Sequence, residues 1–458
     1  MINLAILLYY TVRLFVVLFT NISNSAYLNS KGALYMKLDL MKNSIVSGTF
    51  DSKFDVLYKN ADDAVKRYSD SCDRFAELFG ENRDVELFSA PGRTEVGGNH
   101  TDHQLGCVLA GSVNLDVIAV ASKNSDMTVR VKSEGFDMDT VDMNVSVPMP
   151  DEREHAASLI RGVCVGLSRY GYKIGGFDAY TTSNVLKGSG LSSSAAFEVL
   201  IGNIISYLYN DGKIDAVTIA KAAQYAENEF FGKPSGLMDQ MASSVGGFTS
   251  IDFGDKENPI IEKVDFDFAS SGHSLCIVNT GGNHADLTGE YAAVTGEMKK
   301  ISGFFGEEYL RKVDEGQFYS KISELRLLFG DRAVLRAIHF FEDNRRAIDE
   351  RDALKAGDFN KFLKLVNESG RSSFMNLQNV YSSLNVEEQG LTLALAISTK
   401  VLGDRGACRV HGGGFGGTIQ AFVPNDMLEK YKSSIEQVFG VGSCYVLNIR
   451  PVGGTKIS

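Results

Sequence analysis

Residues 184–199 read NVLKGSGLSSSAAFEV, and this stretch sets the frame for the whole chain. The strand-like run GFDAYTTSN leads into it, a Gly/Ser loop follows, and an apolar-periodic helix begins near Ser193. Gly188 and Gly190 allow backbone N–H groups to approach a ligand closely. The serines offer hydroxyls, and the helix N-terminus presents amides that lack an intrahelical partner and carry partial positive charge. Such a strand–loop–helix unit suits a phosphate group. It is not a Walker loop, and the chain also lacks a kinase-type GxGxxG loop with its HRD and DFG partners. Those two ATP-binding folds are therefore excluded. For this segment alone, the alternative is a Ser-rich helix cap that binds nothing.

Upstream, residues 89–106 read SAPGRTEVGGNHTDHQLG and pack Arg93, Glu95, Asn99, His100, Asp102 and His103 into eleven positions. Each hydroxyl of a polyol is both donor and acceptor. A carboxylate such as Asp102 accepts from two neighbouring hydroxyls, while an imidazole or amide supplies the complement. A polar surface loop is the competing reading. Downstream, GKPSGLMDQMAS (232–243) is a Gly/Pro turn leading into a short helix with Asp239, and Glu227 sits in the helix before it. Alone, either acid reads as a solvated surface charge. Beside a phosphate loop they fit a base and a magnesium ligand. A third glycine-rich run, RVHGGGFGGTIQAFV (409–423), sets five glycines around Phe415 ahead of a strand. A bulge or tight hairpin explains two of them, and closing a ligand cleft explains the rest.

The 458 residues suffice for two substantial cores. VELFSA, VNLDVIAVAS, MTVRVKS and VDMNVSV read as strands, with helical spacing over Arg153–Tyr170 and Ala216–Phe231. Past Gly247 the pattern begins again: strands at GGFTSIDF, SLCIVNT and TIQAFV, helices around Tyr291–Lys300, Asp331–Leu354 and Asn385–Val401. The expectation is an α+β chain of two lobes, 36–255 and 256–458, packed around one cleft. The composition, 44% hydrophobic and 22% charged, is that of a globular enzyme, and a net charge of −11 argues against a nucleic-acid surface. Six scattered cysteines without zinc-finger spacing fit reduced thiols in the cytoplasm. Residues 1–35 differ, because Ile2 to Phe19 is almost wholly apolar. No basic residue precedes that run and Arg13 would sit mid-membrane, which fits a signal peptide or an anchor poorly. Translation from Met36, where the polar start MKLDLMKN opens, is the favoured reading, with a membrane anchor as the alternative.

The order PGR, NHTDH, GSGLSSSAA, KPSGLMDQ, GGGFGG resembles the GHMP kinases, and among them the galactokinase family, over roughly residues 85–450. The resemblance implies two α+β lobes, with ATP over the Ser-rich loop and galactose in the cleft beside it. It implies that Asp239 is the catalytic aspartate and that Arg93 pairs with it. Lys187, Gly188, Ser189, Gly190, Leu191, Ser192, Ser193, Ser194 and Ala195 would hold the nucleotide. Glu227, with Ser193 or Ser194, would hold Mg2+. Arg93, Asn99, His100, Asp102, Gly236 and Tyr291 fall where the family touches the sugar. No nucleic acid, membrane or obligate protein partner is implied. Three departures bear on specificity: the family has Asn at the position of Glu95, Glu at that of Asn99 and Tyr at that of His103. Alternatives are a kinase for a related sugar such as N-acetylgalactosamine, or a non-catalytic galactose sensor of this fold.

Overall fold

The computed structural model describes residues 26–28, 34–58, 60–186, 190–233, 235–281 and 287–458. The apolar run Ile2–Phe19, and Lys187, Gly188 and Ser189 of the phosphate loop, lie outside them. Strands β1 (Ala26–Leu28), β2 (Leu34–Lys37), β3 (Asp84–Gly97), β4 (Cys107–Lys123), β5 (Thr128–Ser133), β6 (Met138–Asp142), β7 (Phe177–Ser183), β8 (Phe248–Asp252) and β9 (Ile260–Val264) belong to one sheet. Strands β10 (His273–Asn279), β11 (Ala407–Val410), β12 (Thr418–Pro424) and β13 (Cys444–Leu447) form a second, in the order β11-β12-β10-β13. The chain then returns, and β14 (Thr455–Lys456) pairs with Ser89 and Phe88 of β3. The architecture is α+β. The turn between β8 and β9, where the lobes were expected to divide, joins two strands of the first sheet. One apolar core also spans both sheets, bringing Phe88 and Phe248 together with Leu275, Ile277 and Phe422.

The antiparallel β3–β4 pair is the spine of the first sheet. Every position of β3 after Asp84 is buried. The strand runs past VELFSA to Gly97, through a stretch whose proline and glycines read as a loop. Irregularities in the ladder at Pro91/Arg93 and Glu95/Gly97 absorb the missing proline N–H and re-aim the side chains between them. Of the strand expected at VDMNVSV (141–147), only Val141 and Asp142 lie in β6. β6 stops at Asp142, because the Asp142 carboxylate accepts from Asn144 N (2.9 Å) and turns the chain there. Helix Gly390–Leu402 begins later than expected, and the helix from Ala216 becomes a π-helical turn over Ala226–Phe231. In that turn Gly232 N donates to Glu227 O (3.1 Å). Gly162 of helix Ala156–Arg169 lets the turn dock, since a Cβ there would lie 2.6 Å from Ala226 Cα.

Beneath the spine lies a charged anchor. Asp116 of β4 is fully buried and accepts from Arg67 Nη1 (2.5 Å), Tyr58 OH (2.6 Å), Ser89 Oγ (2.5 Å) and Arg450 Nη1 (3.3 Å). Burial opposes its charge, but Arg67 and Arg450 outweigh burial and hold its carboxyl below the usual range. The group ties helix Ala61–Phe79, both spine strands and the returning C-terminal segment together. Asp116→Ala leaves buried Arg450 without its counter-charge, and we expect a loss of about 3–5 kcal/mol in urea unfolding. A loss below about 1 kcal/mol would contradict the anchoring role.

Candidate active site

β7 delivers the chain to the phosphate loop, and helix Ser193–Asn210 leaves it. Ser192 occupies the helix N-cap in the left-handed region (φ 57°), yet its hydroxyl does not cap the helix. It donates to Asp239 Oδ2 instead (2.6 Å), so the N-terminal amides face the loop without a side-chain cap. Asp239 stands in the first turn of helix Met238–Val245. Arg93 grips it with both prongs, Nε to Oδ1 (2.7 Å) and Nη2 to Oδ2 (2.5 Å). Arg93 Nη1 also donates to Gly190 O, and Arg93 N donates to Leu191 O (3.0 Å). One residue of β3 thus fixes the phosphate loop and the carboxylate together. Burial disfavours the Asp239 charge, but Arg93 and Ser192 prevail and hold its carboxyl below the ordinary value. It is ionised at neutral pH, with 30% of its side chain open to the cleft.

Glu227 lies behind this pair on the π-helical turn, nearly sealed. Lys233 Nζ donates to its Oε1 (2.9 Å), Ser194 Oγ lies 3.4 Å from the same oxygen, and Gln240 Nε2 donates to Oε2 (2.8 Å). Gln240 also reaches Glu198 Oε2 (3.1 Å). Burial, then the nearby Glu227 charge, push the Glu198 carboxyl well above its usual value, so it is the neutral member of the pair. Ser193 opens the helix, and Leu191 and Ala195 are buried beneath the loop.

The residues expected around the sugar divide into two groups. Asp102 and Gly236 face each other, since a Cβ on Gly236 would stand 3.2 Å from Asp102 Oδ2. Asn99, His100 and Tyr291 instead converge on the glycine run of the second lobe. Asn99 Nδ2 donates to Gly412 O (2.8 Å), His100 Nε2 lies 2.9 Å from Gly413 O, and Tyr291 OH donates to Gly414 O (2.8 Å). A Cβ on Gly413 would sit 2.4 Å from Tyr291, and one on Gly414 (φ 85°) 2.0 Å from Asn379 O. Side-chain bulk is thus barred at both positions. The Asn99 amide is fully buried, and beyond Gly412 it donates to Glu95 Oε1 (2.8 Å) and accepts from Asn379 Nδ2 (2.7 Å). Glu95 is also paired with Arg409 Nη2 (2.7 Å).

Sequence reasoning passed over Lys233, Gln240, Glu198, Asn379 and Arg409. Ser194 and Glu198 stand one helical turn apart on one face, a legible signal. Asn379 reaches the site only through the fold and carried none.

Two family models match the chain: the GHMP kinases N-terminal domain over residues 158–247, and the galactokinase galactose-binding signature over 73–123. The structure is similar to Lactococcus lactis galactokinase complexed with galactose (TM-score 0.70, 25% identity, covering 84% of this chain and 98% of that one). It is also similar to Methanococcus jannaschii mevalonate kinase (TM-score 0.57, 15% identity, 79% and 98%). A D-glycero-D-manno-heptose 1-phosphate kinase from Bacteriodes thetaiotaomicron matches with TM-score 0.54 and 17% identity, over 81% and 98%. The fold is therefore that of the GHMP kinases. Within that class the match is to the galactokinase galactose-binding signature, which spans β3, β4 and the turn between them.

Burial, then its neighbour His103, push the His100 imidazole down to about 4. The neutral ring donates Nε2–H to Gly413 O and leaves Nδ1 as an acceptor. An unfolded histidine titrates near 6.5, so the unfolded chain takes up this proton first as pH falls. The stability contributed by the neutral ring is complete above about pH 6.5 and is lost toward pH 4. We expect unfolding free energy to fall by about 1 kcal/mol from pH 6.5 to 5.5 on account of this ring, and His100→Gln to remove that part. Urea midpoints equally pH-dependent in both proteins would contradict it.

Proposed function

We propose that this chain transfers the γ-phosphoryl group of ATP to the anomeric hydroxyl of galactose through Asp239 and Arg93. The observation that carries the reading is the Arg93–Asp239–Ser192 cluster. It joins the strand bearing the galactose-binding signature to the loop bearing the GHMP phosphate-binding pattern. Phosphoryl transfer asks little covalent work of a protein, and catalysis rests on alignment and charge. In this reading the phosphates lie against the uncapped amides of helix Ser193–Asn210, and Lys187, Gly188, Ser189 and Gly190 belong to the segment that binds the nucleotide. Asp239 receives the attacking hydroxyl. Because Arg93 holds it ionised and weakly basic, its first task is to orient that hydroxyl, and it takes the proton late, as bond formation acidifies the oxygen. Arg93 faces the migrating phosphoryl group. Asp102, Gly236 and His100 Nδ1 read the sugar, and Asn99 and Tyr291 act by holding the glycine run that closes the cleft.

The donor set fits magnesium: a buried carboxylate at Glu227 with serine hydroxyls at 193 and 194, leaving the other ligand positions to phosphate oxygens and water. The ammonium of Lys233 on Glu227 supports a place for positive charge here. When bound, the ion would neutralise charge on the phosphates. Six buried, free cysteines support a cytoplasmic setting.

Asp239→Asn keeps the shape and removes the charge. In an ADP-release assay with galactose we expect turnover to fall about a hundredfold to ten-thousandfold, with galactose binding by calorimetry retained. Near-normal turnover in folded variant protein would refute the assignment.

A further inference from the structure

Glu95 takes no part in the mechanism above. It sits two residues from Arg93 on β3, in unbroken register with Ala110, so the two side chains leave the strand on the same face. Its Oε1 accepts from both Asn99 Nδ2 (2.8 Å) and Arg409 Nη2 (2.7 Å). Its Oε2 makes no hydrogen bond among the described residues, yet it is not one of the oxygens sealed away from solvent, and the side chain keeps 9% of its surface. A carboxylate anchored by one oxygen, with the other left open inside a nearly closed site, is held ready for a donor.

We propose that Glu95 is a substrate-specificity residue whose Oε2 accepts a hydrogen bond from one hydroxyl of the bound sugar. This rests on the galactose-kinase reading. Arg409 is fully buried and its hydrogen bond fixes the direction of the Glu95 carboxyl, as preorganised recognition requires. The reciprocal chemistry at position 99 agrees. The Asn99 amide points Nδ2 at two acceptor oxygens, those of Glu95 and Gly412, so a carboxylate at 99 would meet them with repulsion. In this chain the cleft's carboxylate therefore stands at 95, and Asn99 serves it.

The test is a cycle between side chain and ligand. Galactose and its 2-, 3-, 4- and 6-deoxy analogues are assayed as substrates of the full chain and of Glu95→Gln. Loss of that hydrogen bond should raise the galactose KM about tenfold, with a smaller change in kcat. For one deoxy analogue, the one lacking the hydroxyl that Glu95 binds, the variant should match the unaltered chain. An equal loss for every sugar would mark a structural role and overturn the proposal, as would an unchanged galactose KM. If the Gln variant fails to fold, Glu95→Asp keeps a carboxyl facing Arg409 while withdrawing Oε2, and is read in the same way. No activity of the unaltered chain on any of these sugars would instead refute the galactose-kinase reading itself.

Discussion

The two-pronged grip of Arg93 on Asp239 is the constraint around which the site is organised. Its partners come from three elements far apart in sequence: a spine strand, the loop before helix Ser193–Asn210, and the short helix Met238–Val245. A buried guanidinium needs a partner for nearly every N–H, and Arg93 finds them in the carboxylate and in the loop carbonyl of Gly190. Satisfying this one side chain sets the distance from the loop to the carboxylate. It also keeps that carboxylate ionised despite burial, and the extra bond from Ser192 does the same while withdrawing that serine from the helix cap. The electrostatics of an anion-binding helix end and of a hydroxyl-orienting acid are thereby coupled through one arginine.

The glycine run at 412–414 contributes backbone carbonyls. The carbonyls of Gly412, Gly413 and Gly414 each receive a donor from a residue that sequence reasoning had assigned to the sugar. This division of labour is physically economical. A glycine run can approach its partners closely because it has no Cβ, while the donors that meet it are fixed in rotamer and tautomer, as His100 is. In the proposed reading the sugar meets Asp102, Nδ1 of His100 and the open oxygen of Glu95.

Much of this was legible in the sequence. The strand–loop–helix around Gly190 and the acids at 239 and 227 were visible because phosphate chemistry demands those residue types in that setting, and the pairing of Arg93 with Asp239 was implied by the family resemblance. Other features were not. β3 looked as though it should end before Pro91, since local sequence does not reveal a partner strand able to absorb the proline at a bulge. The commitment of Asn99 was hidden because Asn379, Ser373 and Gly412 reach it only through long-range folding. Glu95 looked like a mere departure from a pattern until Arg409 was seen beside it. Charge pairs across a fold are decided by topology, which residue spacing alone does not encode.

The account turns on where the phosphoryl group goes. Incubating the protein with ATP, Mg2+ and galactose and following the mixture by phosphorus-31 NMR reads this directly. The account predicts ADP together with a single sugar phosphate whose phosphorus couples to the anomeric proton of galactose. ATP left unchanged, inorganic phosphate as the only new phosphorus species, or a phosphate on any other hydroxyl would contradict it.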